Sequence, residues 1–389
     1  SKSIAHSLSY AVNPITTNEP KRRQDIFQPK TMSLPLRLLL CPLLLLVAAT
    51  LSAQERRFRI VEYNAENVFD TLSTEGHADA EFTPAGAYHW NTQLYWSKLS
   101  RLARTIAAVG GLQPAALVAL CEVENDTVLT HLTQRTALRR LGYDYVMTHS
   151  NDVRGINVAL LFQPEQFALI EHDSLRVAPP TDKLRPTRDV LHAAGRLVTG
   201  DTLDIFVCHL PSRKQGKPAL RFRNLIAQEV RRRADSLMNV RQHPLIVITG
   251  DMNTLPKEEL FSRHFRTLLP HENPLPHDLF LLSADLHTAQ GIRGTYFFQG
   301  EWNTLDHFIV SGTMMPTQNE VNQNANEKET ASSLQLAEEA CRVADFDFLL
   351  EKRGKDGALK PKRTFLGTYY HGGISDHLPL VLDLVLKME

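Results

Sequence analysis

Several short stretches of this chain end in residues that can do chemistry: Tyr63-Asn64, Cys121-Glu122, His209-Leu210, Gly250-Asp251-Met252-Asn253, Leu305-Asp306-His307 and Ser375-Asp376-His377. Asn64 offers an amide oxygen and Glu122 a carboxylate. With water completing the shell, such donors suit a hard divalent ion, Mg²⁺ first, with Mn²⁺ or Ca²⁺ as alternatives. Asp251 and Asn253 stand two apart after a glycine, so on an extended turn they point to one side. An Asx-turn would favour the same pair. A histidine beside a carboxylate is the arrangement of a general base, and His377 has Asp306, Asp376 and Asp251 as candidate partners. At an unperturbed pKa of about 6.5 it would accept a proton from water near neutrality. His209 can supply the opposing general acid. Arg154, Arg188, Arg213 and Lys214 flank these segments as candidate phosphate contacts, because guanidinium groups match phosphate oxygens in a fork. Singly, each of these residues also fits a strand-end cap, a turn or a surface charge.

What gathers them is the elements they end. Strand-like runs occupy 58–63, 116–121, 156–162, 190–198, 203–209, 245–249, 305–310 and 379–386. Several are continuously apolar, as in strands buried on both faces. Apolar residues at helical spacing predict helices over 94–109 and 218–238, the second with Pro218 near its start. Arg231-Arg232-Arg233 reads as a solvated face of that helix. Residues 312–363 read as an insertion between core strands: polar at 318–330, helical from Leu334 to Val343, then basic with Lys352, Arg353, Lys355, Lys360, Lys362 and Arg363.

From Met32 the chain runs through a short basic region, an apolar run from Leu38 to Val47 and a small-residue exit near Ala53, the pattern of a cleaved signal peptide over 32–53. Residues 1–31 read as a disordered upstream extension. The expectation is therefore an exported protein, periplasmic or extracellular, with one domain over 54–389 and no stable membrane span. Residues 1–53 hold six Lys/Arg and two acids, and without them the 43 bases and 43 acids of the whole chain become an acidic excess of four. That balance excludes an obligate nucleic-acid coat, so contact with a polyanion must be local. Cys121 and Cys208 sit in apolar strands as small core residues, and no Cys/His cluster points to zinc.

The ordered series Tyr63-Asn64, Glu122, Arg154-Gly155-Ile156-Asn157, Pro186-Thr187-Arg188-Asp189, His209-Leu210, Gly250-Asp251-Met252-Asn253, Leu305-Asp306 and Ser375-Asp376-His377 resembles the endonuclease/exonuclease/phosphatase superfamily, in the order of its deoxyribonuclease I-like and exonuclease III-like members. The resemblance runs from Phe58 to Leu386, and the stretches 300–312 and 367–379 resemble a secreted bacterial branch. It implies an α/β (α+β) four-layer sandwich, two mixed sheets face to face with helices outside. It further implies metal positions at Asn64 and Glu122, with Asp376 near the metal. His377 matches the base that activates water, Asp306 its partner and His209 the second histidine. Asp251 and Asn253 match residues that orient the nucleophile and bind phosphoryl oxygens. Arg188 matches a phosphate contact, and Asn157 a substrate position.

The expected activity is metal-dependent phosphodiester hydrolysis, with a monomeric exported endonuclease or exonuclease as the leading form. A phosphatase or a lipid phosphodiesterase of the same fold, acting on phosphoinositide or sphingomyelin, is the alternative, and a non-catalytic binding protein the third. The rim should discriminate: a nuclease needs a basic groove, a lipid enzyme apolar loops. Lys352 to Arg363 favours a polyanion, while Phe297-Phe298 and Tyr369-Tyr370 suit stacking or lipid.

Overall fold

The computed structural model describes residues 56–270, 274–316, 332–354 and 357–387. The leader over 32–53, the extension before it and the polar stretch at 317–331 lie outside the described residues. The strands in chain order are β1 (Arg56–Val68), β2 (Leu117–Val123), β3 (Asp144–Met147), β4 (Asn157–Phe162), β5 (Ala168–Leu175), β6 (Val190–Arg196), β7 (Thr202–His209), β8 (Leu245–Asp251), β9 (Thr267–Leu268), β10 (Leu279–Leu281), β11 (Tyr296–Phe298), β12 (Glu301–Asn303), β13 (Asp306–Ser311), β14 (Leu334–Val343), β15 (Leu350–Arg353), β16 (Ala358–Pro361), β17 (Phe365–Leu366), β18 (Tyr369–Tyr370) and β19 (Leu380–Leu386). Two large mixed sheets result, ordered β14-β19-β1-β2-β4-β3 and β5-β6-β7-β8-β13-β10-β9. The fold is thus the expected α+β sandwich of two sheets.

Side-chain alternation divides the second sheet between two cores. Ile205, Val207, Leu245, Val247, Phe308 and Val310 turn inward and join the first sheet's Phe58, Ile60 and Leu120 in one apolar cluster. Phe206, Cys208, Ile246, Ile248 and Ile309 turn outward. They are covered by the helix Gly216–Val240, through Phe222, Ile226 and Val230. The other helices are Thr92–Gly110 and Asp126–Arg135. In chain order the three are α1 (Thr92–Gly110), α2 (Asp126–Arg135) and α3 (Gly216–Val240). Each of the first two starts at an Asn cap, Asn91 accepting from Leu94 N and Asn125 from Val128 N. The helix α2 escapes the sequence pattern because it is short and shows few apolar residues.

Two expectations about 312–363 change. Leu334 to Val343 is a strand, not a helix: β14 pairs antiparallel with β19 at the sheet edge, with a register shift between Leu336 and Cys341. Its Ala-Glu-Glu-Ala centre favours helix locally, but the ladder with a buried neighbour overrides propensity. The segment therefore completes the core sheet rather than merely looping from it. Arg231 also departs from the solvated face: it is buried, with Nη1 donating to Phe265 O at 3.1 Å and Nε to Asp235 at 2.7 Å. Cys121 and Cys208 are buried free thiols. Among the described residues no helix is long and apolar enough to cross a membrane.

Candidate active site

Strand register assembles the site. In the second sheet, His209 at the end of β7 is level with Asp251 at the end of β8, and Asp251 is level with Asp306 at the start of β13. Three functional side chains thus stand side by side on adjacent strands. Gly250 permits this approach: at φ +133°, a Cβ there would lie 1.8 Å from Cys208 O. The first sheet contributes Asn64 from β1, whose Nδ2 donates to Asp251 Oδ2 at 3.1 Å across the sandwich. Ser375 ties the last motif to the same point, its hydroxyl donating to Asn64 O at 2.6 Å and accepting from His377 N at 3.0 Å.

His377 Nδ1 meets Asp306 Oδ2 at 2.7 Å, and Nε2 faces Asp251 Oδ2 at 3.9 Å. Of the three candidate carboxylates, Asp306 is the partner, while Asp376 pairs with Arg363 at 3.0 Å. Burial alone would lower the pKa of His377, but Asp306, Asp251 and Asp376 together raise it well above the ordinary value. This corrects the expectation of an unperturbed base. His209 is the opposite case: burial, aided by Arg188 and Arg154, holds it well below the ordinary value and neutral. Its Nε2 lies 3.5 Å from Asp251 and 3.9 Å from Glu122. Asp251 is pushed up by burial and by Asp306, against the pull of His377. His307, next to Asp306, plays a structural part: burial lowers its pKa to about 4, and its ring bridges Ser283 at 2.7 Å and Thr254 O at 2.9 Å.

Bulges aim the remaining acids. Register shifts between Cys121 and Val123 place Glu122 at φ +64°, and β1 shifts between Asn64 and Val68 with Glu66 at φ +51° and Asn67 at φ +53°. Such left-handed non-glycine residues store strain and gather at functional sites. Glu122 Oε2 accepts from Asn67 N at 2.9 Å and lies 3.4 Å from Arg154. Burial opposes its charge, yet Arg154, His209 and Arg188 hold it far below the usual carboxylate range. Asn253 N donates to Asp251 Oδ1 at 2.9 Å, and both Asn253 Nδ2 and Arg188 Nη2 donate to Leu210 O. Arg188 also pairs with Asp152 at 3.3 Å.

Two predicted residues stand apart. The Asn157 amide is committed internally: Nδ2 donates to Glu124 O at 2.8 Å and Oδ1 accepts from Ser150 N at 2.7 Å. It braces the loops around Glu122 rather than facing a substrate. Arg213 spends its guanidinium on Glu258, outside the cluster.

The structure adds residues that sequence reasoning missed. Glu66 accepts from Arg363 Nη2 at 2.7 Å and Thr364 N at 2.9 Å. Lys98 is buried, donating to Glu66 O and to Thr364 Oγ1 at 2.7 Å. Burial lowers its pKa while Glu66, Glu122 and Asp376 raise it, so its ammonium lies among three carboxylates. A signal was present, since Lys98 interrupts the apolar face of α1 between Tyr95 and Leu102. Glu62 is fully buried, its pKa raised well above normal by burial and by Asp306. Tyr296 lies over His377, ring centroids 4.8 Å apart.

For a metal, Asn64, Glu122 and Asp376 supply the expected donors, with Glu66 adjoining. An amide oxygen and carboxylates, one of them held ionised, fit a hard divalent ion by donor chemistry. Among the described residues, the triple whose ligand atoms all lie within 4.8 Å of one another is instead Asp251, Asp306 and His377.

Two facing mixed sheets with acids, amides and histidines collected along one edge define the endonuclease/exonuclease/phosphatase class of fold. The sequence model described as Endonuclease/Exonuclease/phosphatase family matches residues 59–386, and the chain belongs to that family. Its members are usually hydrolytic enzymes acting on phosphoesters, and usually use divalent metals. Among solved structures, an endonuclease/exonuclease/phosphatase family protein of Bacteroides thetaiotaomicron is similar at TM-score 0.53 and 16% identity, covering 86% of this chain and 100% of that one. The mannosyl-6-phosphatase Bt3783 of Bacteroides thetaiotaomicron VPI-5482 is similar at 0.52 and 16%, covering 85% and 100%. ANGEL2, a 2',3'-cyclic phosphatase solved with adenosine-2',3'-vanadate, is similar at 0.51 and 14%, covering 86% and 97%. These likenesses concern the fold. No curated protein sequence matches the chain.

Proposed function

We propose that this protein is a divalent-metal-dependent phosphoester hydrolase, with His377 as the residue that exchanges a proton with the attacking water. The observation that carries the reading is the buried relay Asp306–His377, whose Nε2 faces Asp251, itself held by the Asn64 amide. Asp306 fixes the tautomer and orientation of the ring. Asp251, anchored by Asn64 and Asn253 N, orients the nucleophile beside Nε2. Asn253 and Arg188 stand where phosphoryl oxygens would be bound. His209, neutral, donates a hydrogen bond to a phosphoryl or leaving oxygen. Asn64, Glu122 and Asp376 would hold Mg²⁺ or Mn²⁺, which when bound supplies positive charge to an ester that otherwise repels its nucleophile.

For the substrate, a small phosphoester is favoured over a nucleic-acid strand. Two cations of the basic segment before Ser375 are committed to acids: Lys360 pairs with Glu351 at 3.0 Å, and Arg363 with Glu66 and Asp376. Cations so committed leave less of a groove for successive phosphates. Export through the leader over 32–53 remains part of the proposal, tested by mass spectrometry of the mature N-terminus.

The experiment is phosphoester hydrolysis with Mg²⁺, Mn²⁺ or EDTA, over plasmid DNA, RNA, bis-p-nitrophenyl phosphate, sugar phosphates and sphingomyelin. Activity should require the metal and vanish in His377→Ala and Asp251→Ala. Full activity in EDTA, or in both variants, would sink the reading.

A further inference from the structure

We infer that the recess beside the metal corner is a subsite for a sugar ring, making the substrate a sugar phosphate; this rests on the phosphoester reading above. A cavity of about 200 Å³ opens among Glu66 and Asn67 of the β1 bulge, Phe82 and Tyr88 of the following loop, and Arg363 and Phe365. Arg363 joins it to the reacting centre, holding Glu66 on one side and Asp376, the neighbour of His377, on the other. Arg363 thus borders both the recess and the reacting centre, and the alcohol portion of an ester whose phosphate lies at His377 would enter the recess past it.

The walls are preformed. Lys98 braces the floor through Glu66 O and Thr364 Oγ1, and Trp90 Nε1 donates to Phe69 O at 3.1 Å behind the aromatic wall. The lining combines aromatic rings with an amide, a carboxylate and a guanidinium. The rings wall the recess, while the Tyr88 ring edge and the mixed donors and acceptors of the lining take a sugar's hydroxyls. A nucleobase fits worse. Phe69, Phe82 and Tyr88 already stack on one another at centroid distances of 4.4 and 4.7 Å, which leaves no slot between rings for a base. Size points the same way: pockets for drug-sized ligands run to about 300–1,000 Å³, so this one takes a single small ring.

The test compares kcat/KM of the full chain with Mg²⁺ on hexose and pentose phosphates, p-nitrophenyl phosphate and a dinucleotide. Sugar phosphates should lead p-nitrophenyl phosphate at least tenfold. Tyr88→Ala should cut the sugar-phosphate value, chiefly through KM, at least tenfold more than the p-nitrophenyl value. Titration calorimetry of hexose phosphate into metal-free protein should show binding weakened at least tenfold by the same change and largely kept in Tyr88→Phe. Asn67→Ala, which leaves the ring stack whole, replaces Tyr88→Ala if that variant fails to fold. A preference for the dinucleotide, equal losses on both esters, or unchanged calorimetric affinity overturns the inference. If the wild type hydrolyses none of the esters, the hydrolase reading falls, and the calorimetry alone decides the subsite.

Discussion

His377 Nδ1 lies 2.7 Å from Asp306 Oδ2, and these two residues reach each other from the leading ends of strands in different sheets, 71 positions apart in sequence. Asp306 opens β13 in the second sheet, whereas His377 precedes β19 of the first. The ring is therefore gripped from one sheet while its backbone is anchored to the other through Ser375.

Asp306→Asn should leave the fold intact and lower kcat by about 10²–10⁴, because the amide no longer fixes the ring nor stabilises its charged form. Steady-state kinetics with Mg²⁺ beside a thermal melt checks this. A variant that melts like wild type and retains more than half of kcat would remove Asp306 from the relay.

The pH profile follows from the raised pKa of His377. The ring must lose its proton to act as a base, so kcat/KM should climb with pH through a limb above about 6.5, the unperturbed histidine value. In Asp306→Asn the main cause of the rise is gone, and the limb of the residual activity should move to lower pH. An unmoved limb assigns that titration to another group.

Lys98→Met removes the ammonium from among Glu66, Glu122 and Asp376. The apoprotein should lose about 3–5 kcal/mol, as when one partner of a buried ion pair is deleted. Mg²⁺ should restore more stability to this variant than to wild type, since a bound cation replaces the missing charge. Differential scanning calorimetry with and without Mg²⁺ measures both effects.

Asp204 lies far from this chemistry, bound to His192 Nε2 at 3.0 Å and to Arg241 Nε at 2.8 Å. Burial alone would raise its pKa, but these partners hold it below the usual carboxylate value. A depressed carboxyl adds stability that is present above its unfolded pKa of about 3.9 and is lost as pH falls through the folded value. Asp204→Asn should therefore cost about 3 kcal/mol at pH 7 and progressively less below pH of about 4. Urea denaturation at the two pH values gives the comparison.

The site's skeleton was readable because strand ends are marked twice, by the close of an apolar run and by a following Gly, Asp or Asn. Asn64, Glu122, His209 and Asp251 stand near such ends, Asp306 and His377 stand at or just before the start of an apolar run, and the sheets bring them together. Register decides what the motifs leave open. Motif spacing left Asp306, Asp376 and Asp251 open as partners of His377; the resemblance named Asp306, and the 2.7 Å contact agrees, with Asp306 held level with Asp251 by the pairing of β13 and β8. Glu66 and Lys98 differ: a bulge that breaks the usual alternation hid Glu66, whereas Lys98 left a signal as the one charge that interrupts the apolar face of α1 between Tyr95 and Leu102. The strand β14 was misread because its local composition favours helix, and only its pairing with β19 settles it.

The hydrogen bond from Asn64 to Asp251 spans the two sheets. Half a molecule consequently holds half a centre, and neither sheet alone can present a competent set of groups. The centre becomes a reporter of completed folding: a chain caught with its layers undocked has Asn64 and Asp251 apart and its set of groups unassembled.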